Sequence, residues 1–354
     1  MNKILKFFLI CCLCLTASVS FGAKKNLKLG FIYVSPIGDA GWSYAHDQAR
    51  QKLEQMPGVS TAYVEAVPEG SDAERVILNM ARKGYDIIFG TSFGYMDSMY
   101  KIASKYPHIV FMHCSGFKTR PNMGTYFGRM YQARFLTGMV AGAMTKTNIL
   151  GYVAAFPIPE VIRGINAFTL GARYVNPKVQ VRVVWVKSWY DPATEKEAAK
   201  SLLSVGADVL TQHQDSPATQ EAAQEAGVYS IGYNSDMTKF APKSHLTAAV
   251  WNWFPIYKEI VDEVQGGKFK SKEIWYGLEK GVVDLAPFGS MVPKKIIKDV
   301  EKVKKQIIAG KFKIFKGPIA DQTGKIRIPA GQVASDKELL GMDWFVQGVV
   351  GSTK

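Results

Sequence analysis

From residue 28 onward, short apolar runs alternate with stretches whose apolar positions recur every three or four residues. The runs are KLGFIYV (28–34), STAYVEAV (60–67), YDIIFGTS (85–92), IVFMHCSG (109–116) and MGTYFGR (123–129). A helix-like stretch with Gly138 and Gly142 follows, and the rhythm restarts at comparable intervals. The second series is ILGYVAAFP (149–157), VQVRVVWVKSW (179–189), ADVLTQHQD (207–215), YSIGYNSD (229–236) and LTAAVWNW (246–253). Between the runs lie helical patterns: GWSYAHDQARQKLEQM (41–56), SDAERVILNMARKG (71–84), TEKEAAKSLLSVG (194–206) and ATQEAAQEAG (218–227). Ser71, Asp72 and Glu74 suit a helix start, with Ser71 as a cap. Strands alternating with helices predict an α/β fold, and the repeated rhythm predicts two similar lobes, each a mostly parallel sheet flanked by helices.

The first residues read differently. Lys3 and Lys6 precede the apolar run FFLICCLCL, which gives way to small residues up to Ala23. That pattern predicts a secretory signal peptide over 1–22, whose apolar run is too short to span a bilayer. A lipoprotein cleavage site is the lesser alternative, because Cys11, Cys12 and Cys14 lack a small-residue approach. Export leaves Cys114 as the one cysteine outside the leader, so no disulfide framework is expected within the chain. The formal net charge of +14 is spread along the sequence and is densest over 294–317. There Ile296, Ile297, Val300, Val303 and Ile307 fall at helical spacing, predicting an amphipathic surface helix with a basic outer face. Neither zinc-finger nor RNP-like patterns occur, and no nucleic-acid partner is expected.

In open α/β sheets ligands collect beyond the carboxyl ends of the strands. Those positions offer Asp39 and Trp42, Ser92 and Phe93, Glu160, Trp189, Asp215, Asn234 and Asp236, then Trp251 and Trp253. Four of the seven tryptophans fall there. Trp251 and Trp253 flank Asn252, so alternation sets both indoles on one face, either to close a core or to wall a flat ligand. The clustering favours the ligand. Catalytic patterns are missing: there is no dinucleotide or P-loop glycine motif, no HExxH, no CxxC and no nucleophile elbow. The five histidines lack metal-ligand spacing. Asp39, Glu160, Asp215 and Asp236 are acceptors for ligand N–H or O–H groups, or helix caps. Binding without turnover, with neither cofactor nor metal, is the expected behaviour.

The segments LGFIYVSPIGDAGWSYAHDQAR, IIFGTSFGYMD, FPIPEVIRGINAFTLGAR, VNPKVQVRVVWVKSWYDP, LTQHQDS and GYNSDM fall in order along the chain. Together they resemble the basic-membrane-protein family, the extracytoplasmic substrate-binding proteins of ABC importers. The resemblance implies a two-lobed type I periplasmic-binding-protein fold and a monomer that meets a membrane permease. It implies a purine ligand, a free base such as adenine or a nucleoside. By the same resemblance Trp42, Phe93 and Trp189 face the purine, while Asp215, Asn234 and Asp236 occupy the hydrogen-bonding region. Nucleoside binders usually carry an acid where this chain has Asn234, which weakens a grip on ribose. The expected domains are 23–145 with a return segment over 282–354, and 146–281. A periplasmic sensor and an exported nucleoside hydrolase are the competing readings of other classes.

Overall fold

The computed structural model describes residues 26–354, so the leader expected over 1–22 lies outside the described residues. Ten strands follow the predicted rhythm: β1 (Leu27–Ile32), β2 (Val59–Val64), β3 (Ile87–Gly90), β4 (Val110–Cys114), β5 (Met123–Gly128), β6 (Ile149–Ala154), β7 (Gln180–Trp185), β8 (Val209–His213), β9 (Tyr229–Asn234) and β10 (His245–Trp251). Three further strands, β11 (Glu273–Tyr276), β12 (Val283–Leu285) and β15 (Val349–Val350), lie at sheet edges, while β13 (Ile319–Ala320) and β14 (Ile326–Ile328) pair only with each other, antiparallel. One sheet runs β11-β5-β4-β3-β1-β2 and the other β12-β10-β9-β8-β6-β7-β15. Every pairing in both is parallel except β10 with β12. Strands β3 and β8 are buried at every position. Helices cover both faces of a parallel sheet, which is why these runs are apolar without alternation.

The helices are α1 (Trp42–Glu54), α2 (Ser71–Arg82), α3 (Met96–Ala103), α4 (Tyr131–Met144), α5 (Pro159–Val175), α6 (Pro192–Ser204), α7 (Ala218–Glu225), α8 (Phe254–Gln265), α9 (Lys294–Ile308) and α10 (Asp336–Leu340). Helix α2 buries Ala73, Ile77, Met80 and Ala81, one stripe at helical spacing. The expected side-chain cap is not made. Gly70 holds the cap position, and Ser71 is already the first helical residue. Asp72 and Glu74 in the first turn still favour the positive end of the helix dipole. Helices α4 and α5 pack backbone to backbone. A Cβ at Gly138 would lie 2.1 Å from the Phe168 carbonyl oxygen, and one at Gly171 1.9 Å from that of Phe135. Helix α9 buries Val300, Val303 and Ile307 and turns its lysines outward, as its pattern predicts. Cys114 is a free, buried thiol.

The chain passes between the sheets at 129–130, 252–253 and 277–282. These crossings are laced together. Arg129 N–H donates to the Tyr276 carbonyl (2.7 Å) and Asn252 N–H to that of Val282 (2.8 Å). The Asn252 amide also donates to the Gly281 carbonyl (3.0 Å). The crossings correct the expected lobe boundaries. The segment that returns to the first sheet is 254–276, where α8 packs on α1 and β11 pairs with β5. Residues 283–354 supply β12 and β15 to the edges of the second sheet rather than returning to the first. Register explains this: β12 pairs with β10 only a short turn after the third crossing.

Candidate functional site

The carboxyl ends of both sheets face each other across a cleft of about 310 Å³, lined by Val34, Trp42, Thr91, Ser92, Phe93, Ser115, Glu160, Trp189, His213 and Asp215. The first lobe's residues follow β1, β3 and β4 or open α1, and the second lobe's follow β6, β7 and β8. The cleft is therefore built from strand ends on two sheets.

Trp42 is aimed by two devices. Asp39 accepts hydrogen bonds from the backbone N–H groups of Gly41, Ser43 and Tyr44 at 2.8–3.0 Å, satisfying free donors at the start of α1. The Trp42 indole N–H donates to the Thr91 carbonyl at 2.6 Å. Beside it the Ser92 hydroxyl donates to Glu69 (2.6 Å), as does the Gly94 N–H (2.8 Å), fixing the turn that carries half-buried Phe93. Across the cleft Trp189 is half-buried and meets the edge of Phe156 at 5.0 Å.

Two carboxyl groups reach the cleft, and both are held toward the protonated form. Glu160, on the first turn of α5, is pushed up to about 7, chiefly by burial; a hydrogen bond from Ser115 and the charge of Arg163 oppose the shift. Burial, with the neighbouring Asp39 and Glu195 carboxylates, pushes Asp215 well above the usual carboxylate range. Asp215 accepts from the Asn234 amide (3.2 Å), and its backbone N–H donates to the Trp189 carbonyl (3.1 Å).

Of the residues singled out from the sequence, Trp42, Ser92, Phe93, Glu160, Trp189 and Asp215 come together around the cleft. The other five stand behind it. Asp39 is spent on the α1 cap. Asn234 accepts from the Trp251 indole N–H (3.0 Å) while supporting Asp215. Asp236 is exposed and closes a turn through Thr238. Trp251 and Trp253 stack at 4.4 Å, and Trp253 stacks in turn on His46 at 4.5 Å. Trp42 meets both indoles edge-on, so this column fills the hinge and braces the wall of the cleft from behind. Val34, Thr91 and His213 also line the cleft, beyond the strand-end residues the sequence points to, as does Ser115 at the end of β4. His213 is the last residue of β8, and Asp215 follows in the bend two residues later.

The chain matches the family described as ABC transporter substrate-binding protein PnrA-like over residues 26–317. It is 46% identical over 329 residues to a purine-binding protein of Brucella abortus, covering 92% of this chain and 94% of that one. It is 43% identical over 329 residues to a Haloferax volcanii protein described as an ABC transporter glucose-binding protein, covering 92% of this chain and 81% of that one. Among solved structures, an ABC transporter solute-binding protein of Aeropyrum pernix superposes with a TM-score of 0.72 at 17% identity, covering 90% of this chain and 98% of that one. The fold is thus that of the two-lobed solute receptors, and the chain belongs to the PnrA-like, or basic-membrane-protein, family of ABC transporter substrate-binding proteins.

Proposed function

We propose that this protein captures a purine, most simply a free base such as adenine, between its two lobes outside the cytoplasm and delivers it to a membrane permease. The observation that carries the reading is the cleft itself, where Trp42 and Phe93 of one lobe and Trp189 of the other surround a narrow space rimmed by Ser92, Glu160 and Asp215. A purine presents two π faces and an edge of donors and acceptors. Stacking on aromatic side chains is worth about 1–3 kcal/mol per base. The Brucella relative supports a purine. The Haloferax relative supports a hexose as the second reading. Against a hexose stand three rings and two carboxyls inclined to hold their protons, which suit a flat ligand with ring-nitrogen acceptors. The chemistry in this reading is binding without turnover, in keeping with the family of substrate-binding proteins to which the chain belongs.

A thermal-shift series with adenine, guanine, hypoxanthine, their nucleosides and glucose tests this. A ligand that binds only the folded protein raises Tm according to its concentration and Kd. Shifts with bases and none with glucose are expected. A shift with glucose alone overturns the reading.

A further inference from the structure

At the second-lobe wall of the cleft, where His213 lines it, begins a group of polar side chains with unmet hydrogen-bonding capacity. His213 ends β8 and is 6% exposed. Its Nε2 lies 3.3 Å from the hydroxyl oxygen of Tyr233 on neighbouring β9. Its other ring nitrogen, Nδ1, has no partner among the described residues. The guanidinium of Arg134, from α4, lies 3.8 Å from the centre of the Tyr233 ring and 5.4 Å from that of Tyr152. Arg134 is fully buried, and none of its three guanidinium nitrogens meets an acceptor among the described residues. Here a buried cation rests on an aromatic face instead of a carboxylate.

We infer that His213 is a specificity-determining residue that offers its Nδ1–H to an acceptor on the ligand, and that the Arg134–Tyr233 pair fixes this tautomer. Burial and the charges of Arg134 and Arg163 keep the imidazole neutral, so it carries one proton. Which nitrogen carries it is set by the hydrogen bond at the other. A cation against the face of a phenol withdraws electron density and makes its hydroxyl the better donor. Tyr233 therefore donates to Nε2, and the imidazole proton resides on Nδ1. A buried N–H left without an acceptor is costly, and a ring nitrogen or carbonyl oxygen of the ligand supplies one. Arg134 acts through Tyr233 and is a positioning residue. The tautomer stands independently of the ligand, whereas the purine acceptor rests on the function proposed above.

The test uses the full chain labelled with ¹⁵N-histidine. Two-bond proton–nitrogen correlation spectra distinguish the tautomers, and His213→Asn identifies the signal. The wild-type protein is expected to show His213 protonated at Nδ1, and Arg134→Met to move the population toward Nε2–H. Protonation of wild-type His213 at Nε2, or a spectrum unmoved in Arg134→Met, overturns the tautomer argument. Affinity is then measured for whichever solute of the series above raises Tm. His213→Asn retains an amide donor near the Nδ1 position and is expected to bind within a few-fold of wild type. His213→Phe removes the donor and is expected to weaken binding about 10- to 100-fold. Equal affinity in His213→Phe overturns the ligand contact. A solute other than a purine that shows the same Asn-against-Phe contrast overturns the purine reading alone.

Discussion

Glu160 shows how a single side chain ties stability to pH. Its carboxyl titrates near 7 in the folded chain, against an ordinary value of 4.5, because burial disfavours its charge. The folded state therefore binds the proton more tightly than the unfolded state does. The contribution is fully present below pH 4.5 and is lost as pH rises through 7. The shift corresponds to at most about 3 kcal/mol, less to the extent that water reaches this half-buried group. Urea titrations from pH 4 to 8 are expected to show stability declining over that window, and Glu160→Gln is expected to lessen the decline without abolishing it, because burial also raises Glu195 to about 7. A profile unchanged in the variant would place the shifted group elsewhere. Trp189 separates binding from folding more cleanly than Trp42 does, because it is half-buried whereas Trp42 is bonded into the first lobe. Trp189→Ala is expected to weaken ligand binding by the value of one stacked ring, about 1–3 kcal/mol, while Tm of the ligand-free protein moves little. Fluorescence titration beside thermal unfolding reads both.

Among the elements, the hinge explains the two tryptophans around Asn252. Asn252 lies on the crossing from the second lobe to the first, and its hydrogen bonds to Gly281 and Val282 join two of the three crossings. Trp253 is fully buried between Trp251 and His46. Its truncation to alanine is expected to cost about 3–5 kcal/mol, as for other large buried aromatics, read as a lower urea midpoint at unchanged slope. Much of this architecture was legible in advance. The ten long strands announce themselves because apolar runs and helical repeats have different periods, and α9 does so through its single apolar stripe. Sheet membership was less legible. EIWY in β11 and VDL in β12 are short, and either could border either sheet, so sequence alone does not say which of them returns to the first lobe. The site was half legible for a related reason. Strand ends locate Trp42, Phe93 and Trp189, but a residue facing the ligand and one bracing it from behind have the same chemistry in sequence. Asn234 supporting Asp215 and Asp39 capping α1 are examples. His213 carries no signal of its role in the sequence, since a lone histidine at a strand end has no metal-ligand spacing to mark it.

At the scale of the whole molecule, the lobes touch as well as face each other. Gly41 opens α1 directly against the second lobe, where a Cβ would lie 2.2 Å from the Asp215 carbonyl oxygen. Next to it the Ser235 hydroxyl donates to the Ala40 carbonyl across the same boundary. Gly41→Ala is therefore expected to hinder the approach of the lobes: affinity falls at least about 10-fold while each lobe keeps its fold. Small-angle scattering with saturating ligand is expected to show a larger radius of gyration for the variant than for the wild type. A variant that closes and binds normally would mean the lobes need not come this close. In the function proposed, a purine is held between rings from both lobes. Calorimetric titration of adenine into the wild-type protein and into Trp189→Ala tests it most directly. Saturable one-to-one binding that is markedly weaker in the variant is the predicted result. Equal adenine affinity in the two proteins, or glucose binding with no response to adenine, would contradict it.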